Sequence, residues 1–199
     1  MDAIEQLMND HRIIERVCDA LVGFADEARR KQATEKEELR RFVAFLREFA
    51  DGCHHGKEED ILFRRMTENG FPSDGGPIAV MLMEHDEGRG LIKALSQKAD
   101  QEGPWTADDL QIVADAAAQY SGLLHQHIHK EDAVLYPMAE QHLPPEVMEQ
   151  VNSECEYFEE HKMAGEHERY HALAEELAGR HGHAGSSAGP GAHRAGCCG

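Results

Sequence analysis

Apolar residues recur at spacings of three and four positions along most of the chain, which is typical of amphipathic α-helices. The first such segment predicts a helix from about Asp2 to about Lys31, and His11 falls within its apolar stripe. The apolar members of that stripe are Ile4, Leu7, Ile14, Val17 and Leu21. No segment alternates β-branched or aromatic residues with polar ones at a period of two, as a half-buried strand requires. The pattern therefore predicts an all-α fold.

Three further long helices are predicted between clear breaker sequences. The second begins at Thr34, where Thr34 and Glu37 form a capping-box pattern, and it ends before GFPSDGGP. The third runs from about Ile78 to the EGP turn. The fourth begins at Thr106, with Asp109 completing another capping-box pattern, and it ends before LPPE.

Because the connections between these four helices are short, we predict an up-down-up-down four-helix bundle over residues 1–143. An additional, strongly acidic helix is predicted within residues 144–179, from about Pro145 to Leu177. We expect it to pack across the bundle or to contact a partner. Residues 180–199 are rich in glycine and have almost no apolar side chain to bury, so we expect a disordered Gly/His/Cys tail.

The charge of the chain excludes two classes of partner. Acidic residues outnumber basic ones 38 to 20, and the formal net charge of the 199 residues is −18, which opposes binding to nucleic acid or anionic lipid. No stretch approaches ~20 consecutive apolar residues, and the acidic sequence MDAIEQLMND differs from a secretory signal. We therefore expect a cytoplasmic protein without a nucleic-acid or membrane partner.

Fourteen histidines point to metal chemistry, because imidazole is the commonest metal ligand in proteins. His54 and Glu58 are four residues apart, and so are His127 and Glu131 on another helix. This spacing places both side chains of a pair on one helix face, one turn apart. Each pair is followed by a similar apolar-aromatic sequence, ILF in one case and VLY in the other. Two helices therefore present matching halves of a site.

His11 and His85 add one inward-facing histidine from each of the other two helices. Taken singly, each position has an ordinary explanation, such as an exposed i,i+4 contact or a partly buried core histidine. Jointly, burial of unpartnered imidazoles would cost about 1–3 kcal/mol for each polar group. A shared metal cluster removes that cost, so the sequence predicts a metal centre in the bundle core.

Four sequence motifs in this order resemble the hemerythrin-like (HHE cation-binding) family: NDH, HHGKEEDILF, GGPIAVMLMEHDEG and HIHKEDAVLYPMAE. They cover approximately residues 1–141 and are closest in pattern to the branch that includes iron-centre repair proteins. The resemblance implies two non-haem iron ions, bridged by carboxylate and by an oxo or hydroxo group. The ligands it implies are His11, His54, His85 and His127, with Glu58 and Glu131 as bridges.

Two positions depart from the oxygen-carrying members of that family. They have a second histidine one turn after the ligand that His85 matches, and Arg89 stands there in this chain. A set of four histidines and two glutamates leaves more open coordination positions, which favours reaction chemistry or sensing over oxygen storage. The carriers also use a carboxylate five residues after the fourth-helix histidine, where this chain has Asp132. We favour Glu131 on its i+4 spacing, with Asp132 as the alternative.

The HH dipeptide allows two registers, because His54 with Glu58 and His55 with Glu59 have the same spacing. Counting back from Leu62 in steps of four places His54 on the buried stripe and His55 toward its edge. We therefore expect His54 to be the ligand and His55 its neighbour. We expect His125 and His129, which flank His127 by two residues, to be exposed or to lie outside the ligand set.

Other polar and aromatic features have ordinary interpretations. Tyr120 and Tyr136 are expected to be core aromatics, with donation to a ligand near the metal cluster as the alternative. His167 and His171 are expected to lie on a solvated, salt-bridged face with at most weak metal binding. Cys197 and Cys198 end the tail, where a thiol role is the less favoured interpretation.

The functional prediction is a di-iron centre that binds or reacts with O₂, nitric oxide or peroxide, in sensing, detoxification or iron-sulfur repair. Any catalysis would be metal-centred redox chemistry supported by an unidentified reductant. The alternative is an iron or zinc storage or delivery module that contacts a protein client through the acidic helix or the tail. A third interpretation treats the histidines as incidental in a helical interaction module.

Overall fold

The computed structural model describes residues 2–163 and 165–182. These residues form six helices and no strand, which confirms the all-α prediction. The helices are α1 (Ala3–Lys31), α2 (residues 36–68), α3 (Gly76–Asp100), α4 (residues 107–142), α5 (Pro145–Lys162) and α6 (Glu166–His181). None of the described helices is long and apolar enough to cross a membrane.

Helices α2 and α4 each widen into π-helical turns at the histidine motifs. In α2 the wide turns span Leu46–His55 and Glu58–Phe63, and in α4 they span Glu131–Leu135. A π-helical turn carries one extra residue between hydrogen-bonded groups, so it changes which side chains face the bundle interior. Such turns occur frequently at functional sites.

One of the two predicted capping boxes is confirmed and the other is wrong. The Thr106 hydroxyl and the Asp109 carboxylate each accept a backbone N–H of the other residue, as the capping pattern predicts. Helix α2 instead begins at Lys36 without a side-chain cap. The Thr34 hydroxyl accepts a hydrogen bond from the backbone N–H of Trp105 at 2.9 Å. It therefore joins two interhelical connections instead of capping α2.

The additional helical segment predicted from about Pro145 to Leu177 is present, but it is divided into α5 and α6 instead of forming one helix. The break includes Gly165, whose φ of 76° lies in the left-handed region that glycine adopts without a Cβ penalty. Helix α6 packs against α1 and extends to His181, so Arg180 and His181 do not belong to the predicted tail. Residues 183–199 of that tail lie outside the described residues.

The buried apolar side chains form two clusters along the bundle. The larger cluster includes Ile14, Phe45 and Tyr120, and the smaller one includes Leu62 and Tyr136. The buried histidines and glutamates lie on α1–α4 near the chain positions where the larger cluster ends and the smaller one begins. Apolar side chains on both sides thus shield this polar layer from bulk water.

Candidate metal centre

Seven buried side chains from four helices converge in the polar layer. They are His11 on α1, His54, His55 and Glu58 on α2, His85 on α3, and His127 and Glu131 on α4. None is more than 4% exposed. All six side chains predicted as ligands are among them, and His55 is the seventh.

The seven side chains form two overlapping groups, and within each group the potential ligand atoms lie within 4.8 Å of one another. The two groups consist of His55, Glu58, His85 and His127, and of His11, His54, Glu58 and Glu131. Glu58 belongs to both. Glu131 also spans them, because its Oε1 lies 3.2 Å from His127 Nε2 and its Oε2 lies 3.2 Å from His11 Nε2. This arrangement suits two ions joined by two carboxylates.

His55 was expected at the edge of the buried stripe, and that expectation is wrong. Its side chain is buried, its ring stacks on His85 with centroids 3.8 Å apart, and its Nε2 has no hydrogen-bond partner among the described residues. The prediction assumed a regular α-helical register. The π-helical turns of Leu46–His55 bring both adjacent histidines inward, and only the HH dipeptide itself could have indicated this.

Arg89, which occupies the position of the carriers' extra histidine, contacts carboxylates behind the imidazoles. Its guanidinium donates to Asp51 Oδ1 at 2.8 Å and to Glu59 Oε1 at 2.6 Å. Asp51 and Glu59 face the outer nitrogens of His55 and His85. Because His55 also faces the centre, five imidazoles converge instead of four. The expectation that a four-histidine set leaves more open coordination positions therefore no longer holds.

Each of the five imidazoles turns its outer nitrogen, Nδ1, toward a carboxylate. The distances are 2.7 Å for His11–Asp132, 3.6 Å for His54–Asp10, 3.4 Å for His55–Asp51, 2.7 Å for His85–Glu59 and 2.9 Å for His127–Glu84. A carboxylate at this position orients the ring and leaves the Nε2 lone pair directed inward, as in histidines that bind metals.

The choice between Glu131 and Asp132 is a matter of which side of the helix each occupies. Glu131 is fully buried and lies within the converging group, whereas Asp132 lies outside it. Asp132 accepts from His11 Nδ1 at 2.7 Å and forms an ion pair with Arg12. The i+4 spacing from His127 therefore points to the inward carboxylate, and Asp132 supports a histidine.

Tyr136 is part of the site and not an ordinary core aromatic as expected. Its hydroxyl donates to Glu58 Oε1 at 2.6 Å and lies 3.3 Å from His11 Nε2, and its ring is parallel to that of His11. Tyr120 fits the expectation, because its buried hydroxyl has no hydrogen-bond partner among the described residues. The position of Tyr136, five residues after Glu131 on the same helix, could not reveal this contact with another helix.

Burial lowers the pKa of His54 and His55, whereas neighbouring carboxylates outweigh burial and raise the pKa of His11 and His127. Burial and the neighbouring charge of His11 lower the pKa of His54 to about 4, and burial with the neighbouring His85 lowers that of His55 further from its usual range. Burial and the charge of Glu131 raise the pKa of Glu58. Burial alone would raise the pKa of Glu131, but the imidazoles of His11 and His127, each 3.2 Å from one of its oxygens, outweigh burial and lower the pKa. A cation would stabilise both carboxylates in ionised form.

The donor atoms of the site fit metal ions. Several buried polar atoms have no well-directed hydrogen bond among the described residues: both ring nitrogens of His54, Nε2 of His55, Oε2 of Glu58 and both carboxylate oxygens of Glu131. Each such atom costs about 1–3 kcal/mol when it has no partner. Imidazole nitrogens with carboxylate oxygens are a donor set that suits iron and zinc.

Comparison with known proteins identifies the family. A family profile described as "Hemerythrin HHE cation binding domain" matches residues 2–139. This chain belongs to the hemerythrin family. The match covers the helices that carry all seven converging side chains.

Two curated relatives show how far this similarity extends. The hemerythrin-family chain is 36% identical over 97 residues to the iron-sulfur cluster repair protein YtfE of Enterobacter sp. (strain 638), over 43% of this chain and 40% of that protein. It is 24% identical over 138 residues to the uncharacterized protein Rv1995 of Mycobacterium tuberculosis (strain ATCC 25618 / H37Rv), over 68% of this chain and 52% of that protein. The chain thus spans about half the length of these relatives or less. No solved structure gives a significant match.

The remaining predicted histidines of this hemerythrin-family chain lie away from the centre. His125 is partly exposed and contacts Asp19 at 2.9 Å, and His129 is exposed, as expected. His167 and His171 are half-buried and face Asp10, which differs from the solvated face that the sequence predicts. Cys197 and Cys198 lie outside the described residues.

Proposed function

We propose that this hemerythrin-family protein holds two non-haem iron ions and that its centre binds or reacts with O₂, nitric oxide or peroxide. The observation that carries the proposal is the convergence of five Nε2 atoms and two carboxylates, several of them without partners. In this assignment His55, His85 and His127 would hold one iron, and His11 and His54 would hold the other. Glu58 and Glu131 would supply carboxylate oxygens to both.

Iron bound here would supply one-electron redox chemistry and a position for a small ligand. The donor set is unequal, because one group contains three imidazoles and the other contains two. The group with His11 and His54 would offer an ion fewer imidazoles and would leave more room for a small ligand. The Tyr136 hydroxyl, 3.3 Å from His11 Nε2 and hydrogen-bonded to Glu58, is a proton donor beside that group.

The surroundings of the centre restrict what can reach it. The converging side chains are at most 4% exposed, and apolar clusters flank them on both sides. A diatomic molecule or peroxide needs little space, whereas a larger organic substrate would have to displace packed side chains. The burial therefore supports small ligands as the reactants.

Iron-sulfur repair is one use of such a centre that the similarity to the YtfE repair protein supports. Iron or zinc delivery to a protein client is the second candidate, with the acidic helix α5 as the contact surface. The similarity to YtfE, an iron-sulfur cluster repair protein, also supports delivery, because cluster repair requires a source of iron. A delivery protein must release its metal readily, whereas a reactive centre must retain it while its oxidation state changes.

The test is the visible absorption spectrum of anaerobically reduced, iron-loaded protein before and after addition of O₂, nitric oxide or peroxide, with iron counted per chain. Two irons and a reversible charge-transfer band would indicate oxygen binding. An irreversible change to a stable ferric spectrum would indicate reaction chemistry. Rapid loss of iron to a chelator, without any spectral response to the three ligands, would favour delivery and contradict the proposal.

His127→Ala and His129→Ala form a matched pair for this experiment, since both change a histidine on α4. His127 faces the centre and His129 faces solvent. The His127 variant should lose iron or its spectral response, and the His129 variant should behave like the unmodified protein.

A further inference from the structure

We propose that Asp10, His167 and His171 form a third cation site, separate from the di-iron centre, that takes one divalent first-row transition ion. The site lies where α6 packs against α1. It goes beyond the proposed function because none of its three side chains belongs to the seven that converge in the core. It also assigns a role to α6, the helix that follows the α5–α6 break.

The geometry of the three side chains is suited to one ion. One potential ligand atom from each lies within 4.8 Å of the others. His167 and His171 are four residues apart on α6, and their ring centroids are 4.2 Å apart, so both rings project from the same helix face. Asp10 reaches this face from α1.

The two imidazoles have unused inner nitrogens. Nε2 of His167 and Nε2 of His171 are buried atoms without a hydrogen-bond partner among the described residues. The Phe49 ring lies against both imidazoles, at centroid distances of 5.7 Å and 5.6 Å, and limits their motion. Two fixed lone-pair donors without partners, directed at one carboxylate, are what a cation requires.

Asp10 divides its two oxygens between different partners. Oδ2 accepts from the Lys57 ammonium at 2.9 Å and faces His54 Nδ1 at 3.6 Å. Oδ1 lies 3.6 Å from His167 Nε2, beyond normal hydrogen-bond length. Lys57 therefore holds the carboxylate in place by one oxygen and leaves the other directed at the two histidines.

The local charge also permits a cation. Lys57 donates to Glu159 at 2.8 Å as well as to Asp10, so two carboxylates face one ammonium and leave a net negative charge. The donor set of two imidazoles and one carboxylate selects ions such as Zn²⁺ or Fe²⁺ over Mg²⁺ and Ca²⁺, which prefer oxygen ligands. The His167 side chain is 30% exposed, so the site lies close to solvent.

The test is a Zn²⁺ titration of the full-length, iron-loaded protein by competition with a chromophoric chelator. The tail donors are removed in this background by His183→Ala, His193→Ala, Cys197→Ser and Cys198→Ser, since free thiols and imidazoles bind zinc themselves. Iron is counted throughout, so displacement of iron from the centre is distinguished from binding at the new site. We expect one Zn²⁺ per chain beyond the iron.

Matched variants decide where that ion binds. His167→Gln and His171→Gln should each weaken Zn²⁺ binding at least about tenfold, because loss of even an outer partner of a ligand costs 10–100-fold. His161→Gln is the control, since His161 is exposed on α5 and stacks on Tyr157. Retention of iron and of helical circular dichroism shows that each variant is folded.

Either of two results would overturn the proposal. Absence of a Zn²⁺ equivalent beyond the iron would mean that Asp10 and His167 form an ion pair only. A bound equivalent that the His167 and His171 variants leave unchanged would place the ion elsewhere. Neither result bears on the di-iron centre, whose iron content and spectra are measured on the same samples.

Discussion

The inner nitrogens of His85 and His127 face each other at 3.0 Å, while the outer nitrogen of each ring contacts a carboxylate. His85 Nδ1 lies 2.7 Å from Glu59, and His127 Nδ1 lies 2.9 Å from Glu84. Since carboxylates only accept, both outer nitrogens carry protons, and the inner pair can bond only by sharing a further proton. A metal ion would take the place of that proton and satisfy both rings.

His55→Ala tests whether the fifth imidazole holds iron. We expect iron affinity to fall at least about tenfold, because removal of a ligand should cost no less than removal of an outer partner. Iron per chain under chelator competition measures this, with His129→Ala as the exposed control. Unchanged iron affinity in the His55 variant would show that His55 is not a ligand and that only the four histidines predicted from the sequence hold iron.

Arg89→Gln tests the role of the outer carboxylates. Without the guanidinium, Asp51 and Glu59 lose their common partner and should hold His55 and His85 less firmly. We expect iron affinity to fall about tenfold while the spectrum of the loaded centre keeps its form. Arg169→Gln is the control, because Arg169 is an exposed residue on α6 whose guanidinium pairs with Glu166. Equal affinities in the two variants would show that Arg89 does not support the ligands.

Tyr136→Phe removes the hydroxyl that donates to buried Glu58 at 2.6 Å. The free energy of unfolding of the metal-free protein should fall by about 1–3 kcal/mol, because a buried carboxylate oxygen loses its partner. Urea unfolding measures this. Tyr157→Phe, at a tyrosine that is 63% exposed, should have little effect. If both substitutions were neutral, the hydroxyl would not stabilise Glu58.

Glu38 gives a pH-dependent contribution to stability at the other end of α6. Its carboxylate accepts from His181 and from Arg41, each at 2.9 Å. Burial alone would raise its pKa, but these two hydrogen bonds outweigh burial and lower the pKa below the usual 4.5. The fold therefore favours the ionised form, so the stabilisation is fully present above pH 4.5 and is lost as the pH falls through the lowered pKa.

We expect Glu38→Gln to destabilise the metal-free protein by at most about 1 kcal/mol at neutral pH, as is usual for ion pairs near the surface. Urea unfolding at decreasing pH should show the difference from the unmodified protein shrinking as Glu38 is protonated. Glu37→Gln is the matched control, because the neighbouring Glu37 side chain is 84% exposed. A difference that grew on acidification would contradict this assignment.

The spacing of residues within single helices predicts some of the residues at the metal centre and misses others. His11 and the two His–Glu pairs follow from helical spacing, since a regular turn places them on the buried stripe. His55 does not, because its inward position depends on a π-helical register that apolar periodicity does not indicate. The roles of Arg89 and Tyr136 arise from contacts between helices, which spacing within one helix cannot predict.

The break between α5 and α6 was missed for a different reason. Helical periodicity continues on both sides of the sequence KMAGE, and one glycine is tolerated within many helices. The left-handed φ of Gly165, which ends the regular helix, is seen only in the structure. That break lets α6 lie against α1, where His167 reaches Asp10.

Anomalous X-ray scattering at the iron edge from crystals of the iron-loaded protein tests the central claim most directly. We predict two iron peaks in the bundle core, one among His55, His85 and His127 and the other beside His11 and His54. Glu58 and Glu131 should lie between them. A single peak in the core, or iron found only at surface carboxylates, would contradict the di-iron assignment.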